Sequence, residues 1–252
     1  MKRTWLLALA LPALASACER PVYLSFDTGH MGVAEQVAAT LDKHQISASF
    51  FLASEPTLDG GHSLDEHWAP YWRRLAASGR HDFGSHTWAH DIWVADLANG
   101  AMRFRTQAGR AKPSWRALDA AAYCTELRRV DARFRAITGR GLDPIFRAPA
   151  GKTSPRLLAA AQACGWRHVG WSPAGFLGDE LPSEKVSNAQ LLQQALNRIR
   201  PGDVLVAHLG IWSRREPWAP AVLEPLIVGL KAKGYCFARL REHPDYRSAW
   251  TP

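Results

Sequence analysis

The chain has 252 residues, of which 47% are hydrophobic and 21% charged, a composition that is typical of globular proteins and excludes general disorder. A chain of this length can bury a substantial core, and α/β barrels of this size commonly form one domain. The formal net charge of +8 would allow an anionic partner. Because the basic residues are scattered rather than clustered, we predict a solvated basic surface and no nucleic-acid partner.

The first 17 residues predict an export signal. A charged start is followed by a short apolar run over residues 5–11 and by the small-x-small sequence of residues 15–17. The run is too short to span a bilayer, and no later segment is a transmembrane candidate. We therefore predict a signal peptide at residues 1–17 and a mature domain at 18–252, in the periplasm or secreted. Cys18 also lies where a bacterial lipoprotein carries its lipid, so a lipid anchor at Cys18 is the alternative.

Apolar runs alternate with helical patterns along the rest of the chain. The helical segments carry apolar residues three and four positions apart, and most of them end at glycine or proline. The predicted elements, in chain order, are a strand at 21–26, a helix at 33–44, a strand at 48–53, a helix at 68–77, a strand at 81–84, a helix at 118–138, a strand at 144–147, a helix at 154–163, a strand at 167–171, a helix at 188–199, a strand at 203–207, a helix at 218–233 and a strand at 235–238.

This alternation predicts an α/β fold with about seven parallel strands, and its regularity favours a (β/α) barrel. Residues 91–117 form the one long stretch without a clear helical or strand pattern. We expect this stretch to be irregular and to pass over one end of the barrel, where long loops are often functional.

Four cysteines stand at positions 18, 124, 164 and 236. Export would permit disulfide bonds, and four cysteines allow three full pairings among which the sequence does not choose. Cys236 lies between two aromatic residues and Cys164 ends an apolar helix, so the simplest interpretation of each is a buried free thiol.

Polar residues follow most of the predicted strands. Because parallel barrels carry their chemistry on loops at the carboxyl ends of the strands, we expect these residues to face one rim. His86 and His90 are four positions apart, a spacing that puts two imidazoles on one face of a helical turn, where they could hold a metal ion. Taken singly, Asp27 could cap a helix and Arg147 could form a structural ion pair, but their joint placement favours a site. The rim set is Asp27, Thr28, His30, His86, His90, Arg147, Trp171, Asp179, Glu180 and His208.

Five segments, in order, resemble the motifs of the polysaccharide deacetylase family, the NodB-homology domain of carbohydrate esterase family 4. Residues 24–29 (LSFDTG) are similar to its first motif, T-F-D-D-G, and residues 84–90 (GSHTWAH) to its second, H-[ST]-x-x-H. Residues 146–151 (FRAPAG) resemble the third motif, R-x-P-x-G. The region of Trp171 resembles the fourth motif loosely, and residues 202–208 (GDVLVAH) resemble the fifth.

The resemblance implies a distorted (β/α) barrel and metal-assisted hydrolysis of an N- or O-linked acetyl group on a polysaccharide or peptidoglycan-like glycan. Carried over by motif, His86 and His90 would hold a divalent metal, usually zinc. Asp27 would be the general base, Arg147 would hold Asp27 in place, and His208 would protonate the leaving amine or alcohol. Zinc lowers the pKa of a bound water to about 7, so a carboxylate can accept its proton near neutral pH.

The first motif departs from the family pattern, because Thr28 stands where the family has the aspartate that is its third metal ligand. A neutral hydroxyl is a poor replacement for a carboxylate, so we expect a weak metal site, with loss of the metal as the alternative. His30, two residues further on, is the nearest candidate for a third ligand, whereas Asp82 is expected to lie within its strand. Asp179 is the candidate for the acid of the altered fourth motif.

Aromatic residues are the remaining feature, since the chain has 11 tryptophans. Flat aromatic rings bind the apolar faces of sugars, although core packing accounts for most of these residues. Trp88 lies beside the paired histidines and Trp212 follows His208, so both are candidates for substrate contact, together with Pro149 of the third motif.

The sequence therefore favours an exported carbohydrate deacetylase. The alternative is a sugar-binding protein on the same barrel that has lost its metal and its catalysis. Thr28 favours this alternative, whereas Asp27, Arg147 and His208 favour the enzyme, because a pure binding protein would not need them.

Overall fold

A computed structural model describes residues 18–106 and 113–251, so the signal peptide predicted at residues 1–17 lies outside the described residues. Within these ranges, no helix is long and apolar enough to cross a membrane. The strands are β1 (Pro21–Asp27), β2 (Ser49–Leu52), β3 (Asp82–Ser85), β4 (Asp91–Asp96), β5 (Met102–Thr106), β6 (Ser114–Leu118), β7 (Ile145–Phe146), β8 (Arg167–His168), β9 (Val204–His208) and β10 (Cys236–Phe237), and the helices are α1 (Ala34–His44), α2 (Ala69–Ala77), α3 (Ala120–Thr138), α4 (Pro155–Ala163), α5 (Asn188–Arg198) and α6 (Leu223–Ala232).

Seven parallel strands form one curled sheet, the distorted (β/α) barrel that the sequence predicts. The strand order is β10-β1-β2-β3-β7-β8, and β9 also pairs with β1. β10 pairs only with the first two residues of β1, whereas β9 pairs with Tyr23 to Asp27. A bridge between Phe176 and Val206 joins the segment after β8 to β9, so the sheet curls back towards its first strand.

The core lies between this sheet and the helices. One cluster joins apolar side chains of β1 and β2 to those of α1, α2 and α6, and a second joins β5, β7, α3 and α4. Helix starts are set by side chains, since Asp119 accepts a hydrogen bond from the third residue of α3 and Ser187 forms a capping box with α5. Helix α6 begins at Leu223 rather than at residue 218, because Pro220 disfavours a helical backbone at Ala219, the residue before it.

The expectation that residues 91–117 are irregular is wrong. β4, β5 and β6 form a three-stranded antiparallel sheet. In β5, Met102 and Phe104 are buried while Arg103 between them is exposed, so one face of this sheet packs on the core. A strand with one solvated face alternates polar and apolar residues, and that weaker pattern is why no strand was predicted here.

The expectation of free thiols at Cys164 and Cys236 is also wrong. Cys18 is bonded to Cys236, with Cα atoms 6.0 Å apart, and Cys124 is bonded to Cys164, with Cα atoms 6.2 Å apart. Both separations suit disulfide bonds. The first bond joins the segment before β1 to its partner strand β10, and the second joins the packed helices α3 and α4, so the fold itself selects this pairing.

Candidate active site

The carboxyl ends of the parallel strands bring polar side chains to one rim of the barrel. In the register of the sheet, Asp27 at the end of β1 pairs with His208 at the end of β9. The last residue of β3 pairs with the last residue of β7, so His86 and Arg147 follow on adjacent strands. A cavity of about 210 Å³ opens at this rim, and we call it the rim pocket. Its walls are Asp27, Glu55, His86, His90, Ile92, Ala150, Trp171, Phe176, Glu180, Val206, His208 and Ile211.

Asp27 is held in place by Arg147. Nη1 of Arg147 donates to Oδ1 of Asp27 at 2.8 Å, and Nη2 donates to the hydroxyl of Ser25 at 2.9 Å. Both charged side chains are buried. Burial acts to raise the pKa of the Asp27 carboxyl, but Arg147, with His86 and His208 nearby, lowers it below its ordinary value. Asp27 is therefore an ionised carboxylate of fixed orientation at neutral pH.

His208 is paired with Asp179, the candidate for the acid of the altered fourth motif. The backbone N–H of His208 donates to Oδ2 of Asp179 at 2.6 Å, and Nδ1 of its ring lies 3.1 Å from the same oxygen. Burial acts to lower the pKa of the imidazole, but the Asp179 carboxylate raises the pKa of His208 to about 10. The ring is therefore an imidazolium at neutral pH. Because Asp179 accepts the proton on Nδ1, Nε2 is the donor that faces the rim pocket.

The structure brings His86 and His90 together, with their ring centroids 4.9 Å apart. Nδ1 of His86 donates to the carbonyl of Arg147 at 2.8 Å, and its Nε2 lies 3.5 Å from Oδ2 of Asp27. Burial lowers the pKa of His86 to about 4, so the ring is neutral and Nε2 carries a lone pair. Nδ1 of His90 is buried and has no hydrogen-bond partner within the described residues. Each imidazole thus has a nitrogen that no protein hydrogen bond uses.

The segment that carries the two histidines is a tight turn rather than the helical turn that their spacing suggests. Thr87 and His90 have φ values of 60° and 53°, in the left-handed region that non-glycine residues rarely adopt. The hydroxyl of Thr87 accepts a hydrogen bond from the N–H of Asp91 at 3.0 Å, which stabilises this turn. Ala150, which also lines the pocket, has a φ of 56°. Strained backbone of this kind concentrates at functional sites.

Glu55, which the sequence analysis missed, lies in the loop after β2 and lines the rim pocket. Its Oε2 accepts hydrogen bonds from the Thr28 hydroxyl at 2.5 Å and from the Gly29 N–H at 2.7 Å. Burial acts to raise the pKa of the Glu55 carboxyl, but His90 and the Thr28 hydroxyl lower it below its ordinary value. The strand-end search would have found Glu55, since it follows β2 as the other rim residues follow their strands.

The residues of the rim pocket fit a divalent metal by chemical type. In residues 18–106 and 113–251, the observed side-chain positions do not bring three His, Cys, Asp or Glu residues together in a group that could hold a metal ion. The pocket nevertheless contains two imidazole nitrogens without protein hydrogen bonds, one of them buried, and the carboxylates of Asp27 and Glu55. Imidazole and carboxylate are the ligands of catalytic zinc sites, so the donor set suits such a metal.

The structure does not bring His30 to His86 and His90. His30 lines a neighbouring cavity of about 270 Å³ that shares His208 with the rim pocket. Its Nδ1 accepts a hydrogen bond from the N–H of Gly32 at 3.0 Å. Trp212 lines the same cavity, with its ring centroid 5.0 Å from that of His30, and the residue is 52% exposed. The tryptophan is therefore open to solvent next to the site.

Neither Trp88 nor Pro149 lines the rim pocket. Trp88 is half-buried under Arg129, whose guanidinium lies 4.0 Å from the ring centroid, and it faces a separate cavity. Pro149 is buried and begins a short 3-10 turn, and the next residue, Ala150, is the one that reaches the pocket. The aromatic wall comes instead from Trp171, in the segment that resembles the fourth motif.

Residues 15–169 match the family model described as polysaccharide deacetylase, and the chain belongs to that family. The chain is 26% identical over 229 residues to a chitooligosaccharide deacetylase from Azorhizobium caulinodans, a match that covers 87% of this chain and 92% of the relative.

Two solved structures share the fold. A family 4 acetyl xylan esterase from Clostridium thermocellum, in complex with a cobalt ion, has a TM-score of 0.66 and 23% identity, covering 88% of this chain and 89% of that one. A pseudoenzyme of carbohydrate esterase family 4 from Bacillus anthracis has a TM-score of 0.63 and 16% identity, and the match covers 89% of this chain but 65% of that one. At these identities the likeness concerns the fold.

Proposed function

We propose that this protein is a carbohydrate deacetylase that hydrolyses N- or O-linked acetyl groups on a polysaccharide or peptidoglycan-like glycan. The observation that carries the proposal is the rim pocket, where an ionised carboxylate, Asp27, and a protonated imidazole, His208, stand on paired positions of two strands. A divalent metal such as zinc at His86 and His90 would supply Lewis acidity towards the attacking water and the acetyl carbonyl.

The protein's own residues divide the proton transfers between them. Asp27 accepts a proton from the attacking water, and Arg147 keeps that carboxylate ionised and oriented. His208 donates a proton to the leaving amine or alcohol, and Asp179 keeps the ring protonated until that step. Two titratable groups whose pKa values are pushed apart by their surroundings are the pattern expected of a general base and a general acid.

The family relatives support an acetylated glycan as substrate. One is named for deacetylation of chitooligosaccharides and another for an acetyl xylan ester. The opening beside the rim pocket includes Trp212, whose exposed ring offers an apolar surface to a sugar that extends from the pocket.

A sugar-binding protein without hydrolysis is the second candidate. Thr28 in place of an anionic ligand favours it, and one structural relative is a pseudoenzyme of the same family. The intact pairs of Asp27 with Arg147 and of His208 with Asp179 favour the enzyme, because sugar binding alone does not require two oppositely shifted titratable groups.

Acetate release decides between the two candidates. The full mature protein with added zinc is incubated with N-acetylchitooligosaccharides, peptidoglycan and acetylated xylan, and acetate is measured beside a His208→Gln variant purified in the same way. The proposal predicts acetate from at least one of these glycans and a rate at least about 100-fold lower for the variant, within the usual range for a general acid. Glycan binding without acetate release would overturn the proposal in favour of the sugar-binding protein.

We also propose that the chain is exported, cleaved after residue 17 and left without a lipid. Two disulfide bonds support an oxidising compartment. A lipid anchor would need Sγ of Cys18, the atom that is bonded to Cys236. Mass spectrometry of protein recovered from the periplasm or medium should give a chain that begins at Cys18 with two disulfides. An intact Met1 or a lipid on Cys18 would contradict this proposal.

A further inference from the structure

A metal held by His86 and His90 alone would have too few protein ligands, because catalytic zinc sites use three. Thr28 removes the carboxylate that the family pattern supplies, and the structure places His30 in a different cavity. The question, which rests on the proposed function, is therefore which group of this chain supplies the third ligand. We propose that Glu55 does so, in place of the acid that Thr28 replaces.

Glu55 stands against the side chain of Thr28. The Thr28 hydroxyl donates to Oε2 of Glu55 at 2.5 Å, and the N–H of Gly29 donates to the same oxygen at 2.7 Å. Within the described residues no other hydrogen bond reaches this carboxylate, so Oε1 is left to the rim pocket. The hydroxyl of Thr28 is also anchored, because it accepts a hydrogen bond from the N–H of Ala53 at 3.2 Å. An acid group is thus present beside residue 28, on the Glu55 side chain that is hydrogen-bonded to Thr28.

Glu55 differs from the other buried carboxylates of the described residues in having no ion-pair partner in contact with it, although His90 and His86 lie near enough to lower the pKa of its carboxyl. It is 7% exposed, yet it forms no ion pair with Lys, Arg or His in the described part of the chain. Burying a carboxylate without a contact ion pair is costly, and a divalent metal would supply that pairing charge. The buried carboxylates that do have an ion-pair partner are Asp27, Asp82, Asp91, Glu126, Asp143 and Asp179.

The donors left in the rim pocket complete the set. Nδ1 of His90 is buried without a partner, Nε2 of His86 carries a lone pair, and Glu55 adds one anionic oxygen. Two imidazoles and one glutamate are a recognised ligand set of catalytic zinc, with a position left for water or substrate. Thr28 then becomes the residue that orients a ligand through a hydrogen bond. Asp27, held by Arg147, is left to act as the base.

Calorimetric titration of zinc into the metal-free mature protein tests the assignment. Glu55→Gln keeps the shape of the side chain and removes its charge. We expect the zinc affinity to fall at least about 100-fold, because the loss of a residue that is only hydrogen-bonded to a ligand already lowers metal affinity about 10–100-fold. Glu180→Gln is the matched control, because Glu180 is another acid in the wall of the same pocket. We expect its affinity to stay within about twofold of the wild type. Wild-type affinity in Glu55→Gln would overturn the proposal, as would a wild type that binds no zinc.

Two further variants extend the test, and Thr28→Val keeps it decisive where Glu55→Gln folds poorly, which thermal unfolding of the metal-free protein would show. Thr28→Asp added to Glu55→Gln returns a carboxylate to the family position and should restore affinity to within about tenfold of the wild type. Thr28→Val removes the hydroxyl that orients Glu55 and should lower affinity about tenfold. If neither variant changes affinity in this direction, Glu55 is not a ligand. Because calorimetry needs no hydrolysis, zinc binding through Glu55 without acetate release would reject the deacetylase function and retain the ligand.

Discussion

In the rim pocket, two titratable groups keep opposite charges because each has a different partner. Asp27 is buried and His208 is half-buried, and desolvation alone would neutralise each of them. Arg147 holds the acid ionised, and Asp179 holds the imidazole protonated. The side chain that touches each group therefore sets its role, and removing that side chain should move the pH dependence of the reaction.

Asp179→Asn should shift the alkaline limb of the pH profile of kcat/KM to lower pH. The carboxylate raises the pKa of His208 to about 10, and the ring must be protonated to act as an acid. Without the negative charge, burial lowers that pKa, so the protonated form is lost at a lower pH. We expect kcat/KM at pH 8.5 to fall at least about tenfold while the loss at pH 6 is smaller. The profile is measured from pH 5.5 to 10.5, and an unchanged alkaline limb would remove His208 as the acid.

Most of the site residues could be predicted from the sequence, because each one directly follows a recognisable buried strand. The resemblance implied the pairing of Asp27 with Arg147, but the pairings of His208 with Asp179 and of Thr28 with Glu55 were not predicted. Asp179 reaches His208 from a segment without regular structure, and no periodic pattern places such a segment. Glu55 follows β2 but lies outside the five family segments, so a search guided by those segments passes over it.

The turn after β7 shows how a strand end shapes the pocket wall. Gly151 has a φ of 65°, and a Cβ built on it would lie 2.6 Å from Cη2 of Trp171. The backbone here must therefore be left-handed and also free of a side chain. Trp171 can then pack against the turn and form its side of the rim pocket.

Gly151→Ala should damage both stability and activity, whereas Gly79→Ala should damage stability alone. Gly79 has a φ of 66°, and a Cβ there would have no atom within 4 Å. The Gly79→Ala variant therefore measures only the loss of stability from an alanine in the left-handed conformation, about 1–2 kcal/mol. Gly151→Ala adds a clash of about 1–3 kcal/mol and displaces Trp171. We expect kcat/KM to fall at least about tenfold for this variant alone, since small displacements of positioning groups cost up to about 10²-fold. Urea unfolding and kcat/KM are measured on both, and equal effects would separate Trp171 from the site.

The elements differ in how well their patterns predict them. Strands buried on both faces give continuous apolar runs, and β1, β2 and β9 were predicted for that reason. β4 to β6 carry charged residues on one face, so their alternation is weak and the antiparallel sheet was missed. Ile92 of β4 lines the rim pocket, which makes this sheet part of the site.

Across the whole molecule, three histidines with strongly lowered pKa values couple stability to pH. Burial lowers the pKa values of His81, His86 and His168 to about 4 each. In the folded protein these rings stay neutral as the pH falls below 6.5, whereas in the unfolded chain they bind protons. The unfolded state therefore gains protons relative to the folded state between about pH 6.5 and 4, and stability falls as the pH falls through this range.

The free energy of unfolding of the metal-free protein should therefore drop between pH 6 and pH 5, since each ring that binds a proton only in the unfolded chain contributes up to about 1.4 kcal/mol over that interval. Urea unfolding at fixed ionic strength measures this slope. His168→Phe keeps a ring against Phe146 and removes one of these titrating groups, so its slope should be smaller than that of the wild type. A free energy that stays constant from pH 7 to pH 5 would show that these rings are not buried as neutral groups.

The closure of the barrel depends on long-range pairing that the sequence alone does not specify. The pattern predicts seven strands in order, but it does not show that β9 inserts beside β1 and leaves β10 only two residues of pairing. That pairing of β9 with β1 places Asp27, the proposed base, beside His208, the proposed acid. The two residues are therefore adjacent only after strands from distant parts of the chain pair in one sheet.

The most direct test of the deacetylase function compares acetate release from an acetylated glycan by the zinc-loaded wild type and by Asp27→Asn. The substitution keeps the shape of the side chain and removes its basicity, and circular dichroism at the assay temperature checks that the variant is folded. We predict acetate release by the wild type and a rate about 10²–10⁴-fold lower for the variant, the usual contribution of a general base. Equal rates for the two folded proteins would contradict the role of Asp27, and a wild type that releases no acetate from any of the three glycans would contradict the function itself.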